Sequence, residues 1–102
     1  MRRRKPTSIG VIGRRWFQRS YGNTYFSAAI YVDGEAVHYI DYEYGYGNQY
    51  LQAATEWLYD NGYLPGLKQY SYGGMEPLWQ YCDRKGIKCS YEAIDVARKK
   101  DL

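Results

Sequence analysis

The chain has 102 residues and 45% hydrophobic content, which fits one domain with a single core. No apolar run is long enough to span a bilayer, and two cysteines are too few for a secreted disulfide framework, so both of those classes are set aside. The net charge of +3 is unevenly spread: residues 1–20 hold seven bases and no acid, residues 21–81 hold Lys68 against seven acids, and residues 82–102 hold six bases and four acids. A basic end suits a polyanion and an acidic middle suits a cationic partner. Fourteen tyrosines and three tryptophans against two phenylalanines add rings with an apolar body and a polar tip, a type suited to binding surfaces.

Met1 to Pro6, with its RRRK run, is expected to be a flexible basic arm ahead of a single α+β domain over residues 7–102. The run leads into Pro6, Thr7 and Ser8, not into an apolar segment, so it is not read as a signal peptide. Ser8 to Gln18 is rich in β-branched and aromatic residues and predicts a strand, with Gly10 and Gly13 marking a bulge or bend. Tyr21-Gly22-Asn23 then supplies a turn. Thr24 to Tyr42 alternates on both sides of Asp33-Gly34, the dipeptide of a two-residue type I′ hairpin. That turn would pair Ile30 with Val37, Ala28 with Tyr39 and Phe26 with Asp41 on a core face. The other face would carry Tyr31 with Ala36, Ala29 with His38, Ser27 with Ile40 and Tyr25 with Tyr42. With a short first turn, Arg14, Trp16 and Gln18 join this tyrosine face.

Asn48 is a good helix cap, and Gln49 to Asp60 predicts a helix with Leu51, Ala54 and Leu58 on one face and Trp57 beside them. Gly62 closes it, Tyr63 to Gly74 reads as a loop, and Glu76-Pro77 opens a second helix running to Lys85. Ile87 to Val96 alternates and predicts a last strand. The expected fold is an antiparallel β-sheet in β-β-β-α-α-β order, with two helices packed on one face.

Catalytic signals are weak. His38 has no partner that sequence can name, and Asp41 and Glu43 share a strand face as solvated strand-end acids do, so the chain is read as a non-enzyme. Cys82, Cys89 and His38 fall one ligand short of a structural zinc site, and no cofactor or metal is expected. The glycines before Asn48 fit neither a dinucleotide fingerprint nor a P-loop. The most informative pattern is Arg14, Arg15, Trp16 and Arg19 beside a face bearing Tyr25, Tyr31, His38 and Tyr42. Arginines meet phosphates and rings meet bases, which is how sheet platforms hold single strands. The alternative is a protein interface at Asp41, Glu43, Tyr44 and Tyr46.

RRWFQRSYGNTYFSAAIYVDGE and YGYGNQYLQ, with the closing ARKKDL, resemble a group of small proteins encoded by phages and prophages. The resemblance implies an accessory protein of a virus or mobile element, acting in the host cytoplasm, and brings no activity with it. Such a protein would meet nucleic acid, or would act as an anti-defence (anti-CRISPR-like) inhibitor that binds a host defence protein or sequesters a nucleotide signal. An exposed edge strand would also allow a homodimer. More loosely, the β-β-β-α order around IYVDGE looks like the second half of a double-stranded-RNA-binding domain. That family carries lysines at the following helix start, where this chain has Asn48, Gln49, Tyr50 and Leu51.

Overall fold

Asp33 and Gly34 both take positive φ, 52° and 84°, as a two-residue type I′ turn requires. The computed structural model describes residues 6–45, 47–71 and 74–102. The expected basic arm at residues 1–5 lies outside them. Pro6, read as the arm's last residue, is fully buried, and the chain is held at once. Asp33 Oδ1 accepts from the Thr7 hydroxyl (2.6 Å), the Thr7 N–H (2.7 Å) and the Ser8 N–H (3.0 Å). These bonds, the Thr7 hydroxyl first, hold the Asp33 carboxyl below its ordinary value.

The α+β class is as expected. Strands β1 (Ser8–Gln18), β2 (Asn23–Val32) and β3 (Glu35–Tyr44) precede helices α1 (Gln49–Asp60) and α2 (Leu78–Lys85), and β4 (Lys88–Val96) comes last. A 3₁₀ turn, Lys99–Asp101, follows it. The sheet is not purely antiparallel, however. Its order is β3-β2-β1-β4, with β4 parallel to β1. After β3 the chain crosses the sheet through both helices and returns to the end where β1 begins. Lys88 N–H donates to Thr7 O there (3.0 Å), so β4 starts level with Ser8 and runs the same way. That crossover is what a parallel neighbour needs.

Both helices lie on one face, over a core of Ile9, Val11, Phe26, Ala28, Ile30 and Ile40 from the sheet. From α1 come Leu51, Ala54 and Leu58 as expected, together with Tyr50; α2 adds Leu78, Tyr81 and Cys82. Gly86, at φ 70°, ends α2 in the left-handed conformation that glycine adopts freely. Gly13 marks no bulge, since β1 pairs without interruption from Ile9 to Gln18. A Cβ at Gly13 would lie 2.5 and 2.6 Å from two ring carbons of Tyr50, so its bare backbone is the seat of α1.

Glu76, just ahead of α2, is buried and paired. Arg84 Nη2 donates to Oε1 (2.7 Å) and Nε to Oε2 (3.0 Å), while Lys68 N–H donates to Oε1 (3.3 Å). This fork fastens α2 to the preceding loop. The N-cap of α2 is Pro77, not Glu76, whose side chain is spent on that pair.

Candidate functional site

The β2–β3 pairing departs from simple hairpin register in two places, and both decide the site. After Val32↔Glu35 and Tyr31↔Ala36, one extra residue on β3 gives Ile30↔His38, Ala29↔Tyr39 and Ala28↔Ile40. Unbulged pairing would have set Asp41 in the core and Ile40 in water, and the extra residue exchanges them. Ile40 is therefore buried. His38 moves to the helix side and stacks on Trp57 of α1 at 4.4 Å and 5°. Trp57 in turn stacks on Tyr63 at 5.8 Å. The expectation that His38 shares the tyrosine face is thus overturned, and Tyr39, expected in the core, takes its side. A second irregularity between Phe26 and Ala28 restores the parity, giving Phe26↔Glu43 and Tyr25↔Tyr44.

The face away from the helices carries Arg14, Trp16, Tyr25, Tyr31, Tyr39 and Tyr42. Trp16 lies opposite Tyr25, Arg14 opposite Ser27 and Gly10 opposite Tyr31. Trp16, Tyr25 and Tyr42 form a row across three strands, with ring centroids 5.9 and 4.7 Å apart and interplanar angles of 25° and 19°. Tyr44 meets Tyr25 edge-on at 5.6 Å. Burial, with the neighbouring Tyr25 hydroxyl, pushes the Tyr42 phenol up. The chain's own end folds back over this row. Lys99 Nζ lies 4.6 Å from the centre of the Tyr42 ring, and Arg14 Nη1 donates to the Asp101 carbonyl at 3.3 Å. Nothing in the alternation of β4 signals that return; only the basic run Arg98-Lys99-Lys100 hints at a contact with rings.

The other sequence candidates divide. Arg15 points to the helix side, pairing with Asp95 (3.1 Å) and donating to the Gly47 carbonyl (3.2 Å), so it ties β4 to the entry of α1 and is not part of the open face. Arg19 is exposed in the β1–β2 turn and lines a hollow with Trp16, Val96 and Ala97 at the end of the row. Asp41 and Glu43 line a groove of about 610 Å³ between β3 and α1, together with Glu56, Asp60, His38 and Trp57. Tyr44 belongs to the opposite face, so the alternative interface is split in two, and Tyr46 lies outside the described residues.

Beside the aromatic row lies a hollow of about 270 Å³ lined by Ile12, Arg14, Ser27, Ala29, Tyr31 and Tyr39. Ser27 is fully buried at its floor, and its hydroxyl is the one buried side-chain polar atom without a hydrogen-bond partner among the described residues. Neither Ser27 nor Tyr39 stood out in the sequence. Among the described residues, no three His, Cys, Asp or Glu side chains are grouped to hold a metal, and no helix is long and apolar enough to cross a membrane. Cys82 and Cys89 are free thiols in mutual contact, the Cys82 thiol pushed far up by the Cys89 hydrogen bond and by burial. No family model matches the chain, and no curated protein or solved structure does either.

Proposed function

We propose that the chain is a non-enzymatic accessory protein of a phage or mobile element that binds single-stranded nucleic acid across the helix-free face of its sheet. The observation that carries this reading is the Trp16–Tyr25–Tyr42 row, free of both helices and attended by Arg14 and Lys99. Rings and cations on one sheet face supply the stacking and phosphate contacts that single strands need. Because the three rings stack on one another, bases would use the ends of the row. The outer face of Tyr42 now takes the Lys99 ammonium, and a base there would release that lysine toward a phosphate. Glu92, opposite Ile12 on the same face, keeps the footprint narrow. The likeness of RRWFQRSYGNTYFSAAIYVDGE to phage-encoded proteins supports the setting.

Fluorescence anisotropy with labelled single-stranded oligonucleotides at several salt concentrations tests the proposal. Two or three phosphate contacts predict that log K falls with log salt at a slope of about −1.4 to −2.1. Absence of binding at low salt, or binding indifferent to salt, removes the reading.

A second reading rests on the β3–α1 groove, whose lining includes Asp41, Glu43, Glu56 and Asp60 and, among the described residues, no lysine or arginine. A basic segment of a host defence protein would suit it by charge, and the chain would then act as an inhibitor. Capture of a protein from nuclease-treated host lysate, lost on combining Glu43→Lys with Glu56→Lys, would favour this second reading.

A further inference from the structure

Resting on nucleic-acid binding by the open face, we infer that the hollow beside the aromatic row is a nucleobase pocket, with Ser27 as the hydrogen-bonding group on its floor. Buried polar atoms are nearly always paired, so an isolated exception calls for an account. Here the exception sits at the bottom of a cavity and not in a packing fault: the Ser27 hydroxyl has no partner among the described residues, and its residue lines the hollow. The rest of the lining matches a flat ring. Tyr31 and Tyr39 form the walls, and Ile12 and Ala29 give it an apolar bed. Gly10, opposite Tyr31, adds no side chain on that side. The volume of about 270 Å³ falls just under the range of drug-sized pockets, roughly 300–1,000 Å³, so it suits one ring system and not an extended ligand.

Arg14 extends the match to the phosphate that a nucleotide carries besides its base. Arg14 lines the same hollow, and its Nη1 donates to the carbonyl of Asp101 at 3.3 Å. A phosphate is a stronger acceptor than a neutral carbonyl, so ligand entry draws Arg14, the residue opposite Ser27 on β1, off the Asp101 carbonyl and onto the phosphate. Tyr39, 48% exposed, is the more exposed of the two tyrosines that line the hollow. A serine hydroxyl both donates and accepts, so the pocket would accept a base edge of either polarity and discriminate little among the four bases. The aromatic row then serves the neighbouring nucleotide, and the two sites together set a single-stranded register.

The test compares a short thymidine oligomer with an abasic phosphodiester oligomer of equal length, by anisotropy competition at low salt. Wild type, with a base in the pocket and one on the row, should prefer the base-bearing oligomer by about a hundredfold, near the lower end of what two stacked bases contribute. Ser27→Val, which fills the floor with methyl groups, should cut that preference about tenfold, keep the share that the aromatic row supplies, and hold the abasic oligomer as wild type does. Tyr39→Ala, at an exposed position, should do the same and stands in if Ser27→Val does not fold. Equal affinity of wild type for the two oligomers, or an unchanged preference in the folded variants, overturns the pocket while leaving backbone binding in place. Binding of neither oligomer overturns the nucleic-acid reading and the pocket with it.

Discussion

Gly13→Ala is the sharpest probe of how α1 sits on the sheet. The added methyl would lie 2.5, 2.6 and 3.0 Å from three ring carbons of Tyr50. Carbon–carbon contacts are favourable near 3.5–4.0 Å, so the ring must withdraw by about 1 Å. The atoms met include Cγ and Cδ2, close to the root of the side chain, and Tyr50 is only 3% exposed, so rotation alone gives little relief. Overpacking of this kind costs roughly 1–3 kcal/mol. Against it stands the loss of glycine's freedom in the unfolded chain, which favours the variant by about 0.4–1 kcal/mol. The net expectation is a loss of about 1–2 kcal/mol, which at ordinary urea sensitivity lowers the unfolding midpoint by roughly 0.5–1 M. Gly10→Ala serves as the control. Its methyl would meet Ser90 Oγ at 3.3 Å and Tyr31 Cβ at 3.7 Å, and it should shift stability by less than about 0.5 kcal/mol. In a Tyr50→Ala background the Gly13→Ala penalty should vanish, because the two residues are coupled through one contact. A midpoint for Gly13→Ala equal to or above wild type, in urea unfolding followed by circular dichroism, would refute the reasoning.

Three further outcomes follow from the same structure. Arg84 holds the Glu76 carboxyl below its ordinary value, so the folded state binds this proton less readily than the unfolded state. The resulting stability is complete above the unfolded value near 4.3, and it drains away as pH falls through the folded value. The melting temperature of Glu76→Gln should fall less steeply than that of wild type between about pH 5 and 3. Ser27→Ala removes an unpartnered buried hydroxyl and should leave stability unchanged or raise it by up to about 1 kcal/mol; a loss greater than that would mean the hydroxyl has a partner. Removing residues 98–102 frees Arg14 and the outer face of Tyr42 while deleting three bases, Arg98, Lys99 and Lys100. The salt slope for a single-stranded oligonucleotide should become shallower by about 0.7 for each lost phosphate contact, whereas an unchanged slope would exclude Lys99 from the phosphate contacts.

Much of the fold was written locally. Asp33-Gly34 set the hairpin because both residues accept positive φ, and Gln49 to Asp60 formed its helix with Leu51, Ala54 and Leu58 inward. Trp16, Tyr25 and Tyr42 reached one face because the two irregularities of β3 cancel in parity beyond Asp41. Between them the parity is reversed, which is why His38 went to Trp57 and Tyr39 emerged beside Ser27. No glycine or proline marks that first bulge. Its cause is a choice between burying Ile40 and burying Asp41, visible only once the helices fix which face is the core. The direction of β4 and the return of Lys99 onto Tyr42 depend on how the crossover runs, a long-range property that alternation within Lys88–Val96 does not encode.

Chemical-shift mapping of labelled protein with a short single-stranded oligonucleotide tests the binding face most directly. Perturbations should gather at Arg14, Trp16, Tyr25, Tyr31, Tyr42 and Lys99, with His38 and Trp57 still. Shifts gathered at Asp41, Glu43, Glu56 and Trp57, or none anywhere at low salt, would contradict this binding face.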